Sequence, residues 1–78
     1  MHEFYVQFLS LRDVQDFVSL ASKQKHRLTV GNDRFQVNAT SFMGIFALNC
    51  RNRQKVTVEC SQAEFEALKM TFARFLAP

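Results

Sequence analysis

Glycine and proline are scarce: the 78-residue chain has two glycines and one proline. That scarcity argues against a disordered or loop-rich chain, and it leaves no room for a glycine-rich loop cradling a phosphate. The cysteines are Cys50 and Cys60, with no cysteine or histidine at metal-ligand spacing. They read as small apolar side chains, so neither a disulfide, a metal nor a cofactor is expected. No apolar run approaches the ~20 residues that cross a bilayer. The opening residues, Met1-His2-Glu3-Phe4-Tyr5-Val6, have neither a basic region nor an apolar signal core. A cytoplasmic protein without membrane insertion is expected.

Histidine is also scarce, and this bears on catalysis. A nucleophilic triad needs a serine or cysteine beside an oriented histidine. His2 opens the first predicted strand, and Ser10 lies past its end, about 20 Å away at about 3.3 Å per residue. His26 follows the first predicted helix, at least ~15 Å from Ser10 at ~1.5 Å per residue. The acidic residues offer no close pair on one face for glycosidase or metal chemistry. The chain is therefore not expected to be an enzyme, and no residue is assigned a catalytic role.

Positive charge is present but scattered. The net charge is +3, with small clusters at Lys23, Lys25, His26, Arg27 and at Arg51, Arg53, Lys55. These read as solvated loops and a sheet face rather than the continuous stripe of a nucleic-acid site.

What is abundant is apolar residues, 47% of the chain and nine of them Phe. One domain over residues 1–78 can build its core from these. Phe4, Val6 and Phe8 alternate with Tyr5 and Gln7, which predicts a strand over residues 3–9. Ser10 and Asp13 form a capping-box pattern, and Val14, Phe17, Val18 and Ala21 make one helix face. Residues 27–30 and 34–37 alternate around Gly31-Asn32-Asp33, a hairpin turn, with Leu28, Val30, Phe35 and Val37 expected inward. Residues 55–60 form a fourth strand with Val56, Val58 and Cys60 inward. Ser61 and Glu64 form a second capping box, opening a helix with the stripe Phe65, Leu68, Phe72, Phe75 and Leu76. The order β-α-β-β-α-β-α, with one apolar face per strand, predicts an α+β open-faced sandwich. It has a four-stranded, mainly antiparallel sheet with three helices on one face.

Between the third and fourth strands lies the most informative stretch, residues 38–48. Thr40 or Ser41 can cap a helix of about two turns, too short to persist without packing. Ile45 and Leu48 can reach the core. Phe42, Met43 and Phe46 share another face and, with Leu11, form an apolar docking surface for a protein partner. Ser41 is the candidate phosphorylation site at that surface. Ser10 and Arg12, at the start of the first helix, are the candidate anion site, through free N–H groups and a forked donor. The element order is also that of an RNA-recognition module, but that module stacks bases on outward aromatics, and here only Tyr5 takes the outward phase.

Over nearly its whole length the chain resembles HPr, the histidine-containing phosphocarrier of the bacterial sugar phosphotransferase system. The resemblance rests on length, element order, Asp16-Phe17-Val18-x-x-Ala21, and Ala39-Thr40-Ser41-Phe42-Met43-Gly44-Ile45. It implies strand order 1-4-2-3. It also implies a partner-binding face made by the second helix and the start of the first, and a regulatory serine at Ser41 open to a dedicated ATP-dependent kinase. The partners implied are phosphotransferase-system components or that kinase. In the family the first helix begins His-x-Arg-Pro-Ala, and the histidine carries the phosphoryl group. Aligning on Phe17-Val18 places Arg12 on the family's arginine, Asp13 on its proline and Ser10 on its histidine. The active histidine is missing. A non-catalytic or regulatory docking domain is the expectation, with a phosphocarrier of atypical chemistry and a small RNA-binding domain as alternatives.

Overall fold

The computed structural model describes residues 1–32, 34–48 and 53–77. Its elements are β1 (His2–Val6), α1 (Leu11–Ser22), β2 (Leu28–Gly31), β3 (Gln36–Asn38), α2 (Phe42–Phe46), β4 (Gln54–Val58), α3 (Gln62–Thr71) and a 3-10 turn, Ala73–Phe75. The sheet order is β1-β4-β2-β3, and every pairing is antiparallel.

The register shows why the sequence alternates as it does. Phe4 pairs with Val56, Val56 with Val30, and Val30 with Val37, a row crossing the whole sheet on its inner side. The next rows are Tyr5, Lys55, Gly31, Gln36 and Glu3, Thr57, Thr29, Asn38, on the outer side. A slip of one residue would exchange the two sets. Against the inner rows, α1 contributes Val14, Phe17 and Ala21, and α3 contributes Phe65 and Leu68. Phe17 is the hub: its ring meets Phe8, Phe72 and Phe75 at centroid separations of 5.2, 5.0 and 5.6 Å. Truncating such a buried ring costs about 3–5 kcal/mol.

Three expectations change in the structure. Phe35 is not a core residue; it is 69% exposed. Its parity is right, but the strand stops short of it, because the ladder ends where Gly31 pairs with Gln36. The Asn32 side chain accepts from the N–H groups of Arg34 and Phe35, and Asn32 N–H donates to the Phe35 carbonyl, closing the turn. Asp33, placed in this turn from sequence, lies outside the described residues.

The last helix also ends early. Phe72 and Phe75 are buried, but Leu76 lies beyond the helix, partly exposed, in an isolated bridge to Val6. The cause is the free edge of β1: Gln7 N–H donates to Phe75 O and Ala77 N–H to Tyr5 O. Backbone groups at a sheet edge need partners, and the terminal segment supplies them. Finally, β1 ends at Val6, yet Phe8 remains buried among Phe17 and Phe75. Cys60 is a free thiol, partly buried against the core, and Cys50 and most of the polar connection after α2 lie outside the described residues.

Candidate functional site

The start of α1 is capped as the sequence pattern suggests, with one change. Ser10 has extended backbone angles, and its hydroxyl accepts from Asp13 N–H at 3.3 Å. The reciprocal bond reaches one residue further back: Asp13 Oδ2 accepts from Leu9 N–H at 2.9 Å. A carboxylate thus already sits at the positive end of the helix dipole. The Asp13 side chain is only 16% exposed and is also gripped by Arg74, whose Nη2 donates to Oδ1 at 2.7 Å. Arg74 Nη1 donates to Asp16 at 3.2 Å, and the guanidinium lies 4.5 Å from the Phe75 ring centroid. Arg12 is exposed and is paired with Asp16, 3.5 Å from Nε to Oδ1. Of the predicted anion pair, then, Ser10 serves as cap and Arg12 leans toward Asp16. Sequence reasoning missed Arg74, which is 61 residues from Asp13 in sequence. No periodicity connects positions that far apart.

At α2 the capping choice resolves. Thr40 turns to Asn38, donating from both N–H and hydroxyl to Oδ1. Ser41 is the cap, accepting from Gly44 N–H at 3.1 Å. Glycine at 44 lets the helix sit close: an added methyl would lie 2.9 Å from Ser41 Oγ and 3.2 Å from Val37 Cβ. Ile45 is fully buried and anchors the five-residue helix.

Met43 and Phe46 are exposed and so is Leu11. Phe42 differs from its neighbours: it is half-buried against the core and stacks on Phe46 at 6.1 Å. Three residues before Ile45, it shares the flank of the anchor. Leu9, unremarked in the sequence, is 84% exposed beside Ser10 and enlarges the apolar surface at the start of α1. Helices α1 and α2 pack against each other, and residues 38–40, which lead into the Ser41 cap, lie beside the far end of α1 at Ala21 and Ser22.

The histidines are engaged elsewhere. His2 stacks on Phe65 at 4.5 Å. His26 Nε2 lies 2.8 Å from Glu64 Oε2, and Lys25 Nζ lies 3.5 Å from the same oxygen. Glu64 completes the second capping box by accepting from Ser61 N–H, and that bond, followed by the one to His26, holds its carboxyl down to about 2. Among the described residues no cluster of three or more His, Cys, Asp or Glu side chains could hold a metal ion. No helix among them is long and apolar enough to cross a membrane.

This antiparallel sheet of order β1-β4-β2-β3, covered on one face, with hydroxyl caps at the starts of α1 and α2, defines an open-faced sandwich of the phosphocarrier type. The chain belongs to the HPr family: residues 9–77 match the family described as PTS HPr component phosphorylation site. HPr proteins are phosphocarriers of the phosphotransferase system and interact with its proteins.

HPr-C-His from Thermoanaerobacter tengcongensis is 32% identical, over 96% of this chain and 91% of its own, with a TM-score of 0.76. The phosphocarrier protein HPr from Bacillus anthracis str. Ames is 31% identical, over 95% of each chain, with a TM-score of 0.74. The histidine-containing phosphocarrier protein of Mycoplasma aligns over 99% of this chain and 98% of its own, with a TM-score of 0.67; at 17% identity it shows the fold alone. No curated protein matches the chain significantly in sequence.

Proposed function

We propose that the chain is an HPr-like docking and regulatory domain that does not itself relay phosphoryl groups, with Ser41 as its phosphorylation switch. One observation carries this reading: Ser10 caps α1 where the family places its phosphoryl-carrying histidine, and Asp13 brings a carboxylate to the same helix end. A phosphohistidine is a reactive N–P species that can pass its group onward, whereas a phosphoserine ester is not a comparable donor. An incoming phosphoryl group would also meet the Asp13 charge. Ser10 and Arg12 mark a remnant of an anion site whose place is now taken by the Asp13 carboxylate and the Arg12–Asp16 pair, and Leu11, Phe42, Met43 and Phe46 provide the apolar contact for phosphotransferase-system proteins or an HPr-type serine kinase. Phosphorylation of Ser41 adds about −1.5 to −2 charges beside the exposed Met43 and Phe46. At the N-cap the dipole tolerates that charge, so docking changes while the fold holds.

The second reading is a working phosphocarrier with atypical chemistry, favoured by the family match running through the start of α1. Intact mass after two incubations separates the two. One supplies phosphoenolpyruvate with the general phosphotransferase enzyme, the other ATP with the HPr serine kinase, each followed by mild acid. Acid-stable phosphate at Ser41 in the second, and none in the first, is the expected result. Acid-labile phosphate in the first overturns the regulatory reading.

A further inference from the structure

The chain has three methionines, and all three side chains are exposed, Met43 at 70%. Met1 precedes β1 and Met70 lies on α3, so neither belongs to the apolar surface of α1 and α2. Met43 alone is on α2. It follows the half-buried Phe42, precedes the exposed Phe46 by three residues, and turns outward from the helix that Ile45 anchors. From Phe35 to Cys50 the sequence carries no charged residue. A partner landing on α2 therefore meets apolar side chains with no ion pair to hold it, and the polarity of each side chain there weighs heavily. Methionine is the one side chain of this surface whose polarity a mild two-electron oxidant changes.

We propose that Met43 is a reversible oxidation site, and that its sulfoxide weakens docking at α2. The inference rests on the docking reading above and names a regulation of that same surface, one that acts through polarity rather than through charge at Ser41. The oxidant is a peroxide. The thioether sulfur forms a bond to one peroxide oxygen as the O–O bond breaks, and the departing hydroxide takes the proton of the transferred OH group and leaves as water. The product is a sulfoxide, a polar acceptor in the middle of an apolar contact, where burial without a donor is unfavourable. A thiol-dependent reductase reverses the step: the sulfoxide oxygen leaves as water while two thiols become a disulfide.

The test treats the protein with hydrogen peroxide, removes the peroxide, maps the added oxygen by peptide mass, and titrates the product against untreated general phosphotransferase enzyme by calorimetry. Oxidation at Met43 should weaken association at least about fivefold, the effect of burying one unpaired polar group. Methionine sulfoxide reductase should restore it. In Met43→Leu the affinity should be the same before and after treatment, although Met1, Met70 and Cys60 remain open to oxidation. Treatment should move the thermal midpoints of parent and Met43→Leu alike, because the Met43 side chain is largely outside the core. No added oxygen at Met43, unchanged binding with Met43 oxidised, an equal loss in treated Met43→Leu, or a lower midpoint in the treated parent alone would each overturn the proposal. Phe46→Asp separates this failure from that of the docking reading. If Phe46→Asp weakens binding and the sulfoxide does not, only the oxidation switch falls; if neither changes binding, both fall.

Discussion

Ile45 and Phe46 are neighbours on one five-residue helix, yet Ile45 is 0% exposed and Phe46 is 55% exposed. This adjacency makes a sharp test of the docking surface. Fully burying a phenylalanine contributes about 1.5–3 kcal/mol. With a little under half of the Phe46 surface covered, replacing it should cost about 1 kcal/mol in burial. An aspartate in the last turn adds about 0.3–1 kcal/mol against the dipole. Phe46→Asp should therefore lose about 1–2 kcal/mol and remain folded, since a domain of this size holds about 4–12 kcal/mol. Ile45→Ala leaves a void in a site without solvent and should cost about 2–5 kcal/mol.

Urea melts followed by circular dichroism measure both losses. Binding to the general phosphotransferase enzyme, followed by calorimetry, measures the second consequence. There Phe46→Asp should weaken association by about 2 kcal/mol or more, roughly thirtyfold, as for a central apolar contact. Ile45→Ala, at a temperature where it stays folded, should change binding far less. If Phe46→Asp costs as much stability as Ile45→Ala, the side chain is structural and the docking surface is misassigned. If it folds and binds unchanged, the partner lands elsewhere.

Gly31 has φ +158°, and a methyl there would collide with the Phe35 carbonyl oxygen; Gly31→Ala should cost about 2–4 kcal/mol, combining backbone strain and overpacking, seen as a thermal midpoint lowered by about 8–30 °C. Ser41→Ala removes the acceptor for Gly44 N–H and should lose about 0.5–2 kcal/mol, whereas Ser41→Asp keeps a cap; equal melting of parent and Ser41→Ala would show the cap idle. For Glu64 the folded carboxyl is held at about 2, below its ordinary 4.5. Its stabilising contribution is complete above about pH 4.5 and is lost as pH falls toward 2. Acid melts of Glu64→Gln should show a shallower decline across that window, and an identical decline would refute the linkage.

The fold was legible because each strand carries a two-residue alternation and the helices announce themselves by hydroxyl caps at Ser10, Ser41 and Ser61. The strand order needed the family resemblance, since alternation says which face is buried but not which strand is adjacent. Phe35 was misplaced because parity cannot reveal where a strand stops; the Asn32 turn decides that. Leu76 was misplaced because a helical stripe continues on paper past Thr71, while the backbone leaves it to satisfy the edge of β1. Near the candidate site, spacing anticipated the Ser10 cap and the outward turn of Met43 and Phe46. The Arg74 contacts to Asp13 and Asp16 could not be anticipated, because a long-range ion pair leaves no local pattern.

The terminal segment also bears on how the protein behaves in concentrated solution. An open sheet has two exposed margins, and each is a template on which another chain can extend the ladder. Here residues 75–77 occupy the β1 margin from within the same molecule. The other margin, β3, is three residues long and flanks its central valine with Gln36 and Asn38. Little uninterrupted backbone is left for strand-by-strand polymerisation, despite a chain rich in phenylalanine. Displacing residues 75–77 would reopen the longer margin and, at the same stroke, withdraw the buried Phe75 ring from Phe17.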